Sequence, residues 1–250
     1  GLGLADYIVR VQVCDSSLLG NENCKSYDDN GTIRYKPIGL LQTYGESGAV
    51  DFGLITGSYE KNKSGGVVRK DVSSFTAEVN TDNGQFTGIS GIVSSINKFR
   101  IARYDYTDGL YNNTDNCPFG ISSFTEGNCS NWGNPFSEIY LEAVRYFAGH
   151  TKTGAFDADD TGYIAGLTDV ASWTDPLAAD NRCASCNIVV INASDISYDN
   201  DGLSMAGFPG TLDAKLITDA LGTKEGITNN RYYVGESGAA TDQLCTAKTV

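Results

Sequence analysis

Residues 183–202 read CASCNIVVINASDISYDNDG, and the reading of this stretch decides the fold expected for the whole chain. Ile188, Val189, Val190 and Ile191 are four β-branched residues in succession. A short continuous run of this kind predicts a strand buried on both faces, as in the centre of a parallel sheet. Ser194, Asp195, Ser197, Asp199, Asn200 and Asp201 follow it closely. An acidic, Asn-rich loop at the carboxyl end of a central strand is where an open α/β sheet places its ligands. Asp, Asn and Gly also end strands and turn chains, so an ordinary turn is the competing reading.

Outward from this run, strand and helix patterns alternate. Residues 7–13 (YIVRVQV), 50–59 (VDFGLITGSY) and 99–104 (FRIARY) read as strands, and 231–234 (RYYV) as an edge strand. Residues 35–44 predict a helix with Pro37 in its first turn and Gly45 as its stop. Ile89, Ile92, Val93 and Ile96 carry helical spacing. The clearest helix spans 135–148, with Asn134 as cap, Gly149 as stop, and Phe136, Ile139, Tyr140, Ala143, Val144 and Phe147 as its apolar stripe. A last helix is expected from about 212 to 221, capped by Thr211 and stopped by Gly222. Such alternation predicts one α/β domain with a mostly parallel central sheet flanked by helices. Two irregular, polar stretches, about 105–132 and 154–182, read as loop insertions.

Composition narrows the function. The chain has 250 residues and a formal net charge of −13. Nothing in it would displace counterions from phosphate or seek anionic lipid, so nucleic acid and the membrane surface are excluded as partners. No apolar run approaches a membrane span, so no membrane insertion is expected. Seven cysteines are present. Cys14 with Cys24, and Cys117 with Cys129, each flank a short polar loop and read as disulfide staples of an oxidising compartment. For Cys183 and Cys186 a mutual bond is favoured, with a bond from either to Cys245 as the alternative. A zinc site is disfavoured, because His150 is the single histidine. His150 follows a helix stop and reads as a cap, so no acyl-transfer triad can be assembled. Residues 157–162 (DADDTG) match part of a calcium loop. Asp157, Asp159 and Asp160 are its candidate carboxylates, but Thr168 stands where a bidentate Glu is needed.

An ordered set of motifs adds a family resemblance. DYIVRVQVCDSSLLGNENCKSY at 6–27, YKPIGLLQTYGE at 35–46, FGLITGSYEKNKSGGVVRK at 52–70 and CSNWGNPFSEIYLEAVRYFAG at 129–149 are its main carriers, with the run at 186–202 and LCTAKTV near the end. Together they resemble the PilC/PilY1 family of type IV pilus biogenesis and tip-adhesin proteins. The match falls in the N-terminal half of that family, ahead of its C-terminal β-propeller, in a region similar to a von Willebrand factor A domain. By that resemblance Asn134-Pro135 takes the place of a Thr-Pro that supplies a metal-ligating Thr, and Asp195 that of an Asp after the fourth strand. Asn134 departs from the pattern, and the Asp-x-Ser-x-Ser that supplies the other metal ligands is found nowhere in the chain. Tight binding of Mg²⁺ or Ca²⁺ at the loop of Asn134, Ser194, Asp195, Asp199 and Asp201 is therefore not expected. Any Ca²⁺ is placed instead at Asp157, Asp159 and Asp160.

The resemblance implies a non-enzymatic, extracellular domain of a pilus-tip adhesin, one piece of a larger protein. Its partners would be pilins or minor pilins and a surface or host ligand. Two other classes compete: a structural filament or cap subunit associating through strand edges, and a secreted metal-dependent hydrolase using the 195–201 loop.

Overall fold

The computed structural model describes residues 9–102, 104–105, 109–111, 117, 124–178, 181–199, 201–207, 214–226, 231–234 and 240–243. The chain divides into two compact units, Gly1–Ala206 and Gly207–Val250.

The larger unit opens with a hairpin. β1 (Cys24–Asp29) pairs antiparallel with β2 (Thr32–Pro37), Cys24 opposite Pro37 and Asp29 opposite Thr32. The link is Asn30-Gly31, both at positive φ, which matches the right-handed twist of a two-residue hairpin. Pro37 thus closes a strand rather than opening a helix. α1 (Leu40–Gly45) starts only after Gly39, whose N–H is bonded by the Gln42 side chain.

β3 (Asp51–Thr56) and β4 (Val67–Ser74) form the second antiparallel pair, with irregular register around Leu54. Val67, Val68 and Arg69 are consecutive and all buried, so β4 is covered on both faces. Beyond β4 a 3₁₀ turn buries Phe75, and α2 (Ile92–Lys98) buries Ile92 and Ser95 while Ile89 and Ile96 stay exposed. The strand expected at 99–104 shrinks to β5 (Tyr104–Asp105), paired with β6 (Leu110–Tyr111). α3 (Phe136–Phe147) follows. The stretch 154–182 has no strand or α-helix among its described residues. It still delivers Phe156, Ile164 and Leu167 to the core, all fully buried.

In the smaller unit α4 (Ala214–Lys224) runs past Gly222, and β7 (Arg231–Val234) pairs antiparallel with β8 (Ala240–Gln243). Thr211 and Cys245 lie outside the described residues.

Helices and strands are thus mixed, but the expected parallel central sheet is absent among the described residues. Every sheet there has two antiparallel strands. Residues 188–191 are not a strand. Val189 is 84% exposed and Ile191 94%. β-branched side chains favour an extended backbone, yet a strand exists only where a neighbour accepts its hydrogen bonds, and among the described residues no backbone bond joins this run to another segment. Residues 9–13 fail for the same reason, with Val9, Val11 and Val13 exposed.

The face that α3 buries also differs from the apolar stripe. Tyr140 and Val144 are exposed, whereas Glu138, Glu142, Ala143 and Tyr146 are buried. Glu142 is held by Thr153 (N–H 3.3 Å, and its hydroxyl) and by Arg145 Nε at 3.1 Å. Tyr146 accepts the N–H of Val72 at 2.8 Å, fixing α3 to β4, and burial raises its phenol pKa. Polar bonding, not apolar periodicity, sets the rotation of this helix.

Candidate functional site

Three loops converge at the N-terminal end of α3: 57–66, 124–134 and 192–202. Pro135 immediately precedes the helix. Asp199 then reaches across to its first turn, accepting the Ser137 N–H at 2.5 Å and the Ser137 hydroxyl at 2.7 Å. A carboxylate there satisfies an orphan donor and meets the positive end of the helix dipole.

One residue further in, Glu138 ties the loops together. Its side chain is fully buried; one oxygen accepts the Gly65 N–H at 2.7 Å and the other the Gly202 N–H at 2.6 Å. Burial pushes its pKa up. The two N–H bonds pull it down, and the negative charges of Asp201 and Glu126 raise it again; the net shift is upward. Gly65 has φ +64, and a Cβ there would sit 2.1 Å from the Phe156 ring, so no other residue fits this position.

Asn62 performs the same service for the second loop. Its amide donates to the carbonyls of Asn128 (3.0 Å), Cys129 (3.0 Å) and Trp132 (2.9 Å), and its Oδ1 accepts the Gly127 N–H at 2.9 Å. Glu126 accepts the Lys63 N–H and the Ser64 hydroxyl. Cys117 is bonded to Cys129 in the same loop. The Lys63 ammonium lies 4.7 Å from the Tyr198 ring and 5.9 Å from that of Phe124, which meet edge to face. The backbone around Trp132 is therefore held at both ends, yet the residue is left 56% exposed. Ile196 and Asp195, on the third loop, are exposed as well.

The structure brings together most of the loop residues singled out by sequence, in roles other than metal ligation. Asn134 donates its amide to Asn192 Oδ1 (3.0 Å), to the Ser194 carbonyl and hydroxyl (3.3 and 3.2 Å) and to the Asp195 carbonyl (3.1 Å). Its backbone forms an isolated bridge with Ser197. An –NH₂ directed at the oxygens a hard cation would need is the wrong charge for a ligand set. Asp199 is engaged by α3, and Asp201 stands near Glu138 without joining Asn134. These residues do not fit an adhesion-type metal.

The three acidic residues of 157–162 diverge. Asp157 pairs with Lys152 at 2.6 Å. Asp159 caps the following 3₁₀ turn, and the Thr161 hydroxyl and N–H hold its pKa down. Asp160 points inward. It is fully buried against the Arg69 guanidinium and accepts Ser58 Oγ (3.1 Å) and the N–H groups of Tyr59 and Glu60 (2.9 Å each). Each carboxylate is already used within the chain.

Cys14 is bonded to Cys24 across the base of the hairpin. Cys183 and Cys186 are free, exposed thiols, so the expected bond between them is not formed. Glu138, Asn62 and Arg69 are the residues that periodicity misses. The Ser-Gly-Gly at 64–66, which permits close packing around Glu138, is the one local signal for them.

A family model described as PilY1 homolog, second domain, matches residues 52–250. The type IV pilus biogenesis factor PilY1 homolog of Xylella fastidiosa (strain Temecula1) is 32% identical over 279 residues, an alignment covering 99% of this chain and 18% of the relative. The chain thus spans less than a fifth of the length of that relative. No solved structure matches it. Because the family model covers most of the chain and the motifs that fix its loop cluster fall inside the match, the chain belongs to the PilY1-homolog family.

Proposed function

We propose that this chain is a non-catalytic binding domain of a type IV pilus-associated surface protein. In this reading its three-loop cluster engages a pilus component, a minor pilin at the filament tip, and a surface or host ligand. The observation that carries the proposal is Trp132. Two side-chain networks and a disulfide order the loop on which it stands, and the residue is nevertheless presented to water. Aromatic side chains held in place and exposed are the usual anchors of protein interfaces. Family membership supports the pilus setting, since the relative in X. fastidiosa carries the name of a pilus biogenesis factor. Two disulfides support exposure to an oxidising compartment. Among the described residues, no helix is long and apolar enough to cross a membrane.

Biolayer interferometry of the purified chain against each purified minor pilin tests this. At least one pilin should bind with a Kd in the micromolar range or tighter, the range of specific but reversible contacts, about −8 kcal/mol. No binding to any minor pilin or major pilin at ~100 μM, well above that range, would overturn the reading.

A further inference from the structure

Two strand-patterned stretches are left without partners, and one groove lacks a strand. The groove, about 300 Å³, is lined by residues 50–55, by Val68, Lys70 and Val72, by α3 and by residues 185–189. β4 contributes alternate residues, as one face of a strand must. β3 contributes consecutive ones, which only a strand edge does. Among the described residues β3 pairs with β4 alone, while the backbone N–H of Val170 bonds the Val68 carbonyl of β4. The open edge is therefore that of β3, and the far wall is residues 185–189, which have no strand partner among the described residues and end in Ile188 and Val189.

Residues 7–13 have the matching pattern. Val9, Val11 and Val13 alternate with Arg10 and Gln12, yet Val9 is 81% exposed and Val11 76%. Their tether leads to the groove. Cys14 is bonded to Cys24, which lies opposite Pro37, and α1 begins three residues later and packs on β3. Five extended residues, 9–13, span roughly 17 Å and the six of β3 roughly 20 Å, so the segment can cover most of that edge.

We propose that residues 9–13 dock as a β-strand in this groove, pairing with the edge of β3 on one side and with residues 187–191 on the other, so that β4, β3 and these two stretches make a four-stranded sheet. The structure described here is the undocked arrangement. Docking removes the free edge of β3, the valines of the N-terminal segment and the 188–191 run from water in one step. It also makes this segment a switch, since its withdrawal exposes an apolar groove ready to accept another strand.

Hydrogen–deuterium exchange on the whole chain tests this. The amides of 9–13 and 188–191 should exchange at least roughly a hundredfold slower than in unstructured peptides, equally at low and high protein concentration. Val11→Pro removes an N–H and should release 188–191 while α3 stays protected. If Val11→Pro unfolds the chain, Val11→Cys replaces it. Oxidised glutathione should then join it intramolecularly to Cys186, which lines the groove. Unprotected 188–191 in the wild type, protection that appears only with dimerisation, protection that survives Val11→Pro, or a Val11→Cys thiol that never joins Cys186 would each overturn the proposal.

Discussion

At the residue scale, Glu138 and Asp160 are two buried carboxylates that resolve the same problem differently. Asp160 is neutralised by Arg69 and bonded by three further donors. Removing one partner of a buried pair strands the other, so Asp160→Ala should cost about 3–5 kcal/mol in urea denaturation. A loss below about 0.5 kcal/mol, the surface range, would contradict the pairing. Glu138 has no cation among its hydrogen-bond partners. Glu138→Ala leaves two buried N–H groups unmet at about 1–3 kcal/mol each. Its raised pKa has a defined sign. The folded state holds this proton more tightly than the unfolded state does. Its contribution is therefore fully present below the ordinary glutamate value of 4.5 and is lost as pH rises through the raised folded value. Relative to Glu138→Gln, which cannot ionise, the wild type should lose stability between pH 4 and pH 7. A wild type that gains on the variant over that range would contradict the assignment. None of this was legible in the sequence, where Glu138 falls outside the apolar stripe of its helix and Asp160 reads as a candidate calcium ligand.

At the element scale, legibility followed how local each signal is. The apolar period, Pro135 and Gly149 placed α3 to within a residue at either end, and residues 50–59 contain β3. The Asn-Gly at 30–31 carried the first hairpin as plainly, but Pro37 drew the reading toward a helix. The rotation of α3 was not legible, because it is set by Thr153, Gly65, Gly202 and Val72, all distant in sequence. The exposed stripe gives a test. Val144→Ala should change stability by no more than about 0.5 kcal/mol. Tyr146→Ala should cost about 3–5 kcal/mol, the range for a large buried aromatic. Equal losses at the two positions would mean that the apolar stripe faces the core after all.

At the scale of the whole molecule, the parallel sheet inferred from residues 188–191 shows what a pattern can and cannot specify. Four β-branched residues specify an extended backbone. They do not specify which edge the backbone finds, and the stretch that would be its neighbour, 9–13, is far away in sequence. The loop cluster is the opposite case. Asn134, Ser194, Asp195 and Asp199 were marked because an acidic loop after a predicted central strand, together with the family resemblance, suggested a site, and the chain does assemble them, with Asn134 as donor, Ser194 and Asp195 as acceptors and Asp199 as a cap, rather than as metal ligands. Their work is to hold a surface. The central claim is that this surface, through Trp132, is where the domain binds. Titrating wild type and Trp132→Ala against the pilin that binds best measures it directly, with urea midpoints recorded for both. Trp132→Ala should lose at least tenfold in affinity, about 1.4 kcal/mol, with the two midpoints unchanged. Equal affinities for the two proteins would show that binding lies elsewhere on the chain.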